Sequence, residues 1–390
     1  MSLTAPNRTW AEINLDYIVH NYKEFCRITN SEGKKTKVMC VIKANGYGHG
    51  SASLAKRLEK DGCSLFGVAT LDEGLELRRS GIKSFVLLLN HIAEDRVCEA
   101  LENDLTMTVF SKEMAEAISA AAKKTTKIHI KTDTGMTRVG INPDEALEAV
   151  KYIHSLPNIE IEGIFTHFSS ADETSREYTN MQIERFNKIT SEIENAGISI
   201  PIKHAANSAA SIMYPDAYFD MVRVGISLYG CYPSEEVDKS RIDLKPCMQL
   251  KTQIIRINEV EPGVAVSYGR LFITERKSRL ATIPVGYADG ISRVLATKLV
   301  VLVNGQAAPV IGKICMDQCV VDITDIKGDV KVADEAVIYG EQKGGFIPVE
   351  QVAEQMGTIN YEILCLTSRR VLRYYTENGK MTSMVNFLDA

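Results

Sequence analysis

Short apolar runs alternate with amphipathic stretches from about residue 37 to residue 230. Eight of these runs are rich in Val, Ile, Leu and Phe, as in strands buried on both faces. They cover residues 38–42, 66–69, 85–89, 105–110, 128–131, 161–166, 202–204 and 221–224. Helical periodicity predicts helices over 52–60, 71–79, 112–122, 143–154 and 178–195, with Gly62, Gly81 and Gly197 at their C-terminal ends. About eight strand–helix units predict an α/β fold, a (β/α)₈ TIM-type barrel. A doubly wound open sheet is the alternative, although it usually has fewer units.

The pattern changes after about residue 241. Short, β-branched runs cover residues 251–260, 280–285, 299–303, 318–323 and 335–339, and turns such as Glu261-Pro262-Gly263 and Asn304-Gly305 separate them. This pattern predicts a β domain built from hairpins. Residues 8–14 alternate between polar and apolar, which predicts a strand that pairs with it. We therefore expect a barrel over residues 12–240 and a mostly β C-terminal domain over residues 241–390, together with residues 1–11.

Composition narrows the function classes. The 390 residues include 45% hydrophobic and 24% charged residues, as in folded proteins, and the net charge of −5 argues against a nucleic-acid binder. The apolar runs are too short to span a membrane, and the N-terminus lacks the apolar stretch of a secretory signal. Nine cysteines without a short-range framework indicate reduced thiols. Cys315 and Cys319 lack the partners of a metal site. We expect a cytoplasmic enzyme of small molecules, with no metal, nucleic-acid or membrane partner.

Lys43 is the first candidate functional residue. It ends the first predicted barrel strand, where barrels build active sites, and the Gly-rich segment 44–50 follows it. A lysine that leaves an apolar strand for a pocket can act as a Schiff-base or proton-transfer amine. A solvated lysine at the end of a strand is the alternative, and the spacing alone favours it.

Later strand ends favour the pocket. Polar clusters follow the fifth to eighth predicted strands at the same end of the barrel: 131–140, 165–169, 204–208 and 222–230. The loops after the seventh and eighth strands are where barrels often bind phosphate. Asn207-Ser208 and Gly225-Ile226 fit that role, although each cluster taken singly could be turn or capping chemistry.

At these residues the chain resembles the alanine racemase family, whose members are pyridoxal 5'-phosphate (PLP) enzymes of fold type III. The resemblance covers nearly the whole chain, and its most specific motif is the PLP-lysine segment 41–50. Further family motifs lie at 133–140, 204–208, 223–230, 266–270, 284–290 and 312–317.

The resemblance implies a two-base isomerase that interconverts L-alanine and D-alanine. Lys43 would carry the cofactor and act as one base, and Tyr268 would be the other. Racemisation removes a proton from one face of Cα and delivers one to the other, so two groups on opposite sides are expected. Without the resemblance, Tyr268 would be taken for a turn residue in a hairpin.

The resemblance also assigns cofactor contacts. Arg223 would hydrogen-bond the pyridine nitrogen and, because arginine keeps its proton, leave that nitrogen unprotonated. His167 would support Arg223 and couple it toward Tyr268; a buried core histidine is the alternative. The remaining cofactor contacts would be Tyr47, Arg138, Asn207, Ser208, Gly225, Ile226 and Tyr361.

Substrate contacts follow in the same way. Arg138 and the backbone of Met316 would bind the substrate carboxylate, with Asp317 beside Met316 and Tyr287 at the entrance of the substrate channel. Lys131 matches a lysine that is carbamylated in parts of the family, where the added carboxylate orients the arginine that corresponds to Arg138.

The resemblance further implies a homodimer with shared sites, in which Tyr268 reaches the Lys43 of the other subunit, and a role in supplying D-alanine for peptidoglycan. Three other readings are open: a racemase of another small amino acid such as serine, a PLP-dependent decarboxylase of the same architecture, and a PLP-carrying or PLP-free barrel without this chemistry. Tyr361 and Met316 would crowd a substrate side chain, which favours alanine over bulkier amino acids.

Overall fold

A computed structural model describes residues 8–30, 33 and 35–389. These residues form two compact units. The barrel unit consists of Tyr17–Gly46 and Ser51–Lys245, and the β unit consists of residues 8–16, Tyr47–Gly50 and residues 246–389. The prediction that residues 1–7 and 390 belong to the C-terminal domain lies outside the described residues.

The chain begins with strand β1 (Thr9–Asn14), which belongs to the β unit, and helix α1 (Leu15–Thr29) follows it. The barrel strands come next: β2 (Lys37–Val41), β3 (Leu65–Val68), β4 (Phe85–Leu88), β5 (Thr106–Val109), β6 (Thr126–Lys131), β7 (Ile159–Phe165), β8 (Ile202–His204) and β9 (Met221–Val224). All eight match the predicted runs. Seven of these strands bury at least three consecutive residues, whereas β8 buries only His204.

The eight strands form one parallel sheet in the order β8-β7-β6-β5-β4-β3-β2-β9. Backbone hydrogen bonds join its two ends: Asp220 N–H donates to Lys203 O at 3.0 Å and Arg223 N–H donates to Ala206 O at 2.9 Å. The sheet is therefore a nearly closed barrel, which confirms the predicted fold class and excludes the open doubly wound sheet.

The first helical segment of this region, α2 (Lys43–Tyr47), has a left-handed backbone at residues 44–46. The helices are α3 (Ser51–Lys60), α4 (Leu71–Arg79), α5 (Val97–Glu102), α6 (Lys112–Ala121), α7 (Ala146–Ser155), α8 (Glu177–Asn195) and α9 (Ser208–Met213). The five predicted helices are confirmed, and the fourth begins with a 3₁₀ turn at Pro143–Glu145. Gly62, Gly81 and Gly197 follow helix ends with φ of 97°, 92° and 82°, a conformation that glycine adopts at low cost. No helix among the described residues has the length and apolar character that a membrane span requires.

The β unit contains the remaining strands: β10 (Met248–Gln253), β11 (Arg256–Val260), β12 (Ala265–Val266), β13 (Phe272–Ile273), β14 (Ser278–Ile283), β15 (Val300–Val303), β16 (Gln306–Ile311), β17 (Cys319–Asp322), β18 (Glu335–Gln342), β19 (Gly345–Ile347), β20 (Leu372–Glu377) and β21 (Lys380–Val385). Strand β1 lies between β10, its antiparallel neighbour, and β20, its parallel neighbour. The predicted pairing of the N-terminal strand with this domain is therefore confirmed.

Two expectations for the β unit were incomplete. The run 251–260 is not one strand, because the chain changes partners at Ile254 and Ile255: β10 pairs with β18, whereas β11 pairs with β14. The unit also contains helices α10 (Val349–Met356) and α11 (Asn360–Cys365), which the β pattern did not predict. Val349, Val352 and Ala353 are the buried face of α10, an i, i+3, i+4 spacing that is short enough to be overlooked.

Candidate active site

Lys43 follows β2 after one residue, Ile42, at the carboxyl end of the barrel strands. The next three residues form a left-handed turn, with φ of 53° at Ala44, 53° at Asn45 and 59° at Gly46. Residues with a side chain adopt this conformation at a cost, so the surrounding structure has to hold it. Two contacts do so: Ala44 N–H donates to Glu73 Oε1 at 2.6 Å, and Ser51 N–H donates to Asn45 Oδ1 at 3.1 Å.

Glu73 joins this turn to the neighbouring strand end. Its Oε2 accepts hydrogen bonds from Ala69 N–H at 2.7 Å and Thr70 N–H at 3.2 Å, while its own N–H donates to the Thr70 hydroxyl. This is a capping box at the start of α4. The sequence Thr70-x-x-Glu73 carries that local signal, but nothing in it indicates the contact with Ala44.

Tyr47 and Tyr361, two of the predicted cofactor contacts, are neighbours in the β unit, with ring centroids 6.2 Å apart. The Tyr47–Gly50 segment is fixed there by Arg373 Nε–H, which donates to Gly48 O at 3.0 Å, and by the Tyr375 hydroxyl, which donates to His49 O at 2.9 Å. A Cβ on Gly48 would lie 2.2 Å from a backbone oxygen, so only glycine fits this close approach.

A tight loop after β6 carries Arg138. Asp133 builds it by accepting hydrogen bonds from the N–H groups of Gly135 at 2.9 Å, Thr137 at 3.1 Å and Arg138 at 3.1 Å. Burial raises the pKa of Asp133, but these backbone donors outweigh burial, and the net pKa is lowered. Asp133 is therefore ionised at neutral pH.

Lys131, the predicted carbamylation site, ends β6 with only 5% of its surface exposed. Its Nζ lies 5.6 Å from the centre of the Phe165 ring. Burial, followed by the charges of Arg223 and Arg138, lowers the pKa of Lys131 to about 8. A substantial fraction of this amine is thus neutral at physiological pH.

Arg223 is buried in the barrel, where its two Nη groups contact five acceptors. Nη1 lies 3.0 Å from His204 Nδ1 and 3.1 Å from His204 O. Nη2 lies 2.8 Å from Thr166 O, 2.9 Å from Ala205 O and 3.1 Å from His167 Nδ1. Burial lowers the pKa of Arg223 to about 9, which still leaves the guanidinium charged at pH 7. None of these five contacts uses its Nε–H.

His167 is close to a cluster of positive charges. Burial, and then the nearby cations, lower its pKa well below the ordinary value. The cations are Arg223, Lys131, Arg138 and Lys43. The barrel unit therefore gathers these predicted site residues at one end of its strands, around a neutral imidazole.

A hydrogen bond joins Ser208 and Gly225: Ser208 Oγ accepts from Gly225 N–H at 2.9 Å. Asn207 caps α9 through a hydrogen bond from Ala210 N–H at 3.0 Å. Ile226 is buried, and so is the hydroxyl of Ser227, which has no hydrogen-bond partner within the described chain. Sequence reasoning did not select Ser227, although it stands beside Gly225-Ile226.

In the β unit, Tyr268, Met316 and Asp317 line a cavity of about 410 Å³, together with Ser267, Cys315 and Gln318. Tyr268 is 71% exposed, and Met316 and Tyr287 are exposed as well. Ser267 positions the turn in front of Tyr268 with a φ of 64°, and its hydroxyl donates to Lys313 O at 2.6 Å.

Asp289, a residue that sequence reasoning missed, holds the turn next to this cavity. Its carboxylate is fully buried and pairs with Arg8 at 3.1 Å and with Arg370 at 2.9 Å. It also accepts from Gly286 N–H at 2.9 Å, and Arg370 pairs with Asp317. The turn that contains Tyr287 and the segment that contains Met316 and Asp317 therefore share one ionic anchor.

Comparison with known proteins places the chain in a family. The alanine racemase N-terminal domain matches residues 13–233, and the alanine racemase C-terminal domain matches residues 247–375. The alanine racemase of Clostridium novyi is 45% identical over 383 residues, which are 97% of this chain and 98% of that protein. The alanine racemase of Methanococcus maripaludis is 45% identical over 94% of this chain and 98% of that protein.

Solved structures agree with these sequence matches. The alanine racemase of Clostridium difficile 630 is 42% identical with a TM-score of 0.93, covering 99% of this chain and 100% of that one. The Bacillus anthracis alanine racemase with bound L-Ala-P is 34% identical with a TM-score of 0.92, covering 99% of each chain. The chain is therefore an enzyme of the alanine racemase family.

Proposed function

We propose that this enzyme interconverts L-alanine and D-alanine with PLP as its cofactor. The observation that carries the proposal is the cationic pocket at the carboxyl end of the barrel strands. Four positive charges there lower the pKa of His167: those of Lys43, Lys131, Arg138 and Arg223. Among the described residues, Arg223 contacts carbonyl oxygens and imidazole nitrogens and no carboxylate. Such a pocket suits a phosphorylated cofactor and a carboxylate substrate.

The donor set fits PLP. The Nε–H of Arg223 takes no part in the contacts that hold this side chain, and a pyridine nitrogen is an acceptor of the kind it lacks. The buried hydroxyl of Ser227, next to the Ser208–Gly225 pair, has no partner among the residues that the structure describes, and a phosphate oxygen could bind it. In the β unit, the hydroxyls of Tyr47 and Tyr361 belong to the same predicted phosphate-binding set.

PLP, when bound, supplies a carbonyl that joins to amines and an electron sink for the electron pair left at Cα. The residues of the chain do the rest. Lys43 holds the cofactor and moves a proton at Cα. Arg223 keeps its own proton, so it offers the pyridine nitrogen a hydrogen bond without protonating it. Arg138, together with the backbone N–H of Met316 of the partner subunit, orients the substrate carboxylate.

The second proton transfer requires a group on the opposite face of Cα, and we assign it to Tyr268 of a partner subunit. Tyr268 stands at the tip of the β12–β13 hairpin, which also exposes Val264, Leu271 and Ile273. Apolar side chains clustered on one exposed hairpin are typical of an interface. A homodimer that covers this hairpin would place Tyr268 in a partner's site and remove it from solvent.

Alanine is the favoured substrate because Tyr361 and Met316 would crowd a longer side chain. Serine differs by one hydroxyl, and a pocket excludes such a difference only modestly unless a polar group is placed against it. The product D-alanine would supply peptidoglycan synthesis in the cytoplasm.

Two measurements on the purified enzyme test the activity. An absorption band near ~420 nm that shifts on borohydride reduction, with the reduced group recovered on the Lys43 peptide, would support a Schiff base at Lys43. D-alanine formed from L-alanine, followed with a D-amino-acid oxidase, would identify the racemase. Carbon dioxide release in place of D-alanine would identify a decarboxylase, and faster turnover of serine would change the substrate.

Mixing two inactive variants tests the shared site. Lys43→Ala and Tyr268→Ala protomers should each lack activity, and co-assembly should recover up to about a quarter of the wild-type activity per dimer pool, because one site of each heterodimer is intact. Recovery should require subunit exchange. Mixed dimers with no recovered activity would place both bases in one chain.

A further inference from the structure

A row of polar side chains extends from Arg223 through the barrel. His204 Nε2 lies 2.9 Å from His129 Nδ1, and His129 Nε2 lies 3.5 Å from Glu162 Oε2. The other oxygen of Glu162 accepts from Lys127 Nζ at 2.7 Å. Both imidazoles are fully buried, and neither belongs to the residues that the proposed reaction uses.

Donor chemistry gives this row one direction. The guanidinium of Arg223 has only donors, so His204 Nδ1, 3.0 Å from Nη1, has to accept. His204 is therefore neutral with its proton on Nε2, which donates to His129 Nδ1. His129 is then neutral too, and its proton is on Nε2, facing the Glu162 carboxylate. Burial lowers the pKa of His129 and of His204, which favours the same neutral forms.

The row ends at the pair formed by His129 and the Glu162 carboxylate. His129 Nε2 and Glu162 Oε2 are buried, and neither has a hydrogen-bond partner within the described chain. The carboxylate is thus the acceptor nearest to the last N–H. If Nδ1 of His129 carried the proton, two N–H groups would face each other between the rings.

Packing fixes the two rings in place. A Cβ on Gly163 would lie 2.4 Å from Nδ1 and Cε1 of the His129 ring, so the neighbouring strand β7 has room for this ring only because residue 163 is glycine. The His204 ring stacks on Phe165, with centroids 4.7 Å apart and an angle of 11°. The β6–β7 pairing shifts register between Ile128 and His129. Several features of the barrel thus accommodate the row.

We propose that His129 and Glu162 are positioning residues for the reaction: they orient His204, and through it they hold the Arg223 guanidinium at the cofactor's ring nitrogen. The part of this inference that concerns the cofactor rests on the proposed function. The direction of the hydrogen bonds does not depend on it.

Histidine tautomers give the first test. In the ¹⁵N-histidine-labelled, cofactor-loaded enzyme, His204 and His129 should each show an unprotonated Nδ1 and a protonated Nε2 throughout the range in which the protein is folded near neutral pH. His204→Asn and His129→Asn would assign the signals. A proton on Nδ1 of either ring, or a doubly protonated ring, would overturn the directional row.

Kinetics give the second test. His129→Leu removes the acceptor for His204 and should lower kcat for alanine about 10-fold with little change in KM, because Arg223 is displaced rather than lost. The absorption band of the bound cofactor should shift as well. His129→Asn places an oxygen near the position of Nδ1 and should recover most of kcat and the original band.

The matched control is Thr108→Val, in the residue paired with His129 across β5 and β6. The Thr108 hydroxyl is buried without a partner within the described chain, so its loss should leave kcat and the spectrum unchanged. A His129→Leu enzyme that melts at a lower temperature but keeps its kcat and spectrum well below that temperature would reduce the row to a structural role. If the wild type fails to racemise alanine, the proposed function is wrong. The histidine tautomers would still test the direction of the hydrogen bonds, because that measurement does not depend on the activity.

Discussion

The carboxylate of Glu73 accepts a hydrogen bond from the backbone N–H of Ala44 at 2.6 Å, across 29 residues of sequence. Ala44 follows Lys43 and begins the left-handed turn. One side chain on α4 therefore stabilises the backbone from which Lys43 projects. The rigidity of the lysine's support depends on a residue outside the PLP-lysine motif.

Glu73→Ala should loosen that support. The change leaves the N–H groups of Ala44, Ala69 and Thr70 without their acceptor and should lower the free energy of unfolding by ~1–3 kcal/mol. PLP should dissociate about 10-fold more readily, measured by dialysis and absorbance. Glu73→Gln keeps one acceptor oxygen, so its rate of PLP loss should lie between those of the wild type and Glu73→Ala. Equal PLP retention in all three enzymes would contradict this role of Glu73.

Lys131 should react with carbon dioxide. Because its pKa is about 8, part of the amine is neutral at pH 8, and a neutral amine adds CO₂ to give a carbamate and a proton. Enzyme equilibrated with ¹³C-bicarbonate should show one protein carbamate signal by NMR. Lys124→Ala, which removes an exposed lysine, should keep the signal, and Lys131→Ala should lose it. A signal that survives Lys131→Ala would assign the adduct elsewhere.

The same lysine makes stability depend on pH. Its folded pKa of about 8 lies below its ordinary value of 10.5, so the native state binds fewer protons than the unfolded state between these pH values. In CO₂-free buffer, Lys131→Met should be more stable than the wild type by ~3 kcal/mol below pH 8. The gap should close as the pH rises to about 10.5. Urea titrations at pH 7, 9 and 10.5 measure this difference in the free energy of unfolding. A difference that stays constant with pH would contradict the lowered pKa of Lys131.

Ile273→Glu should separate the subunits. Ile273 is an exposed apolar residue on the hairpin that carries Tyr268, and a carboxylate buried at an interface is costly. The dimer dissociation constant should rise by about 100-fold or more. Val294→Glu, at an apolar residue of similar exposure outside that hairpin, should leave the dimer intact. Sedimentation velocity with parallel assays would show whether mass and activity fall together.

Asp289→Asn should weaken the turn beside the cavity that Tyr268 and Met316 line. It removes the negative charge that both Arg8 and Arg370 face and should lower the free energy of unfolding by ~3 kcal/mol. Because the weakened ion pairs hold the turn that begins at Gly286 less firmly, KM for alanine should rise more than kcat falls. Thermal unfolding and steady-state kinetics test both effects. An unchanged KM would show that this turn does not contribute to substrate binding.

The barrel was predictable because buried strands leave a plain pattern: eight short apolar runs, of which the first and the fifth to eighth lead into polar residues. The run 251–260 was less predictable, because the chain exchanges one partner strand for another at Ile254 and Ile255 without a glycine or proline between them. Pairing partners are a long-range property that local alternation does not encode.

The site shows the same division. Lys43 and Arg138 follow predicted strands and Arg223 lies within one, so topology could place all three. The motifs supplied their chemistry. Glu73, Asp289 and His129 could not, because each acts through a contact with a distant segment. Their local signals were a capping box, a turn residue and a histidine within a strand, all of which are common in proteins without such roles.

The cluster of cations around His167 also has a consequence for the evolution of this enzyme. Lys43, Lys131, Arg138 and Arg223 repel one another when no anion lies among them. Replacing one of them by a neutral side chain would therefore favour the folded ligand-free barrel and weaken its hold on anions. Selection for thermal stability alone would therefore favour the loss of these cations, and only the binding of anions favours keeping all four.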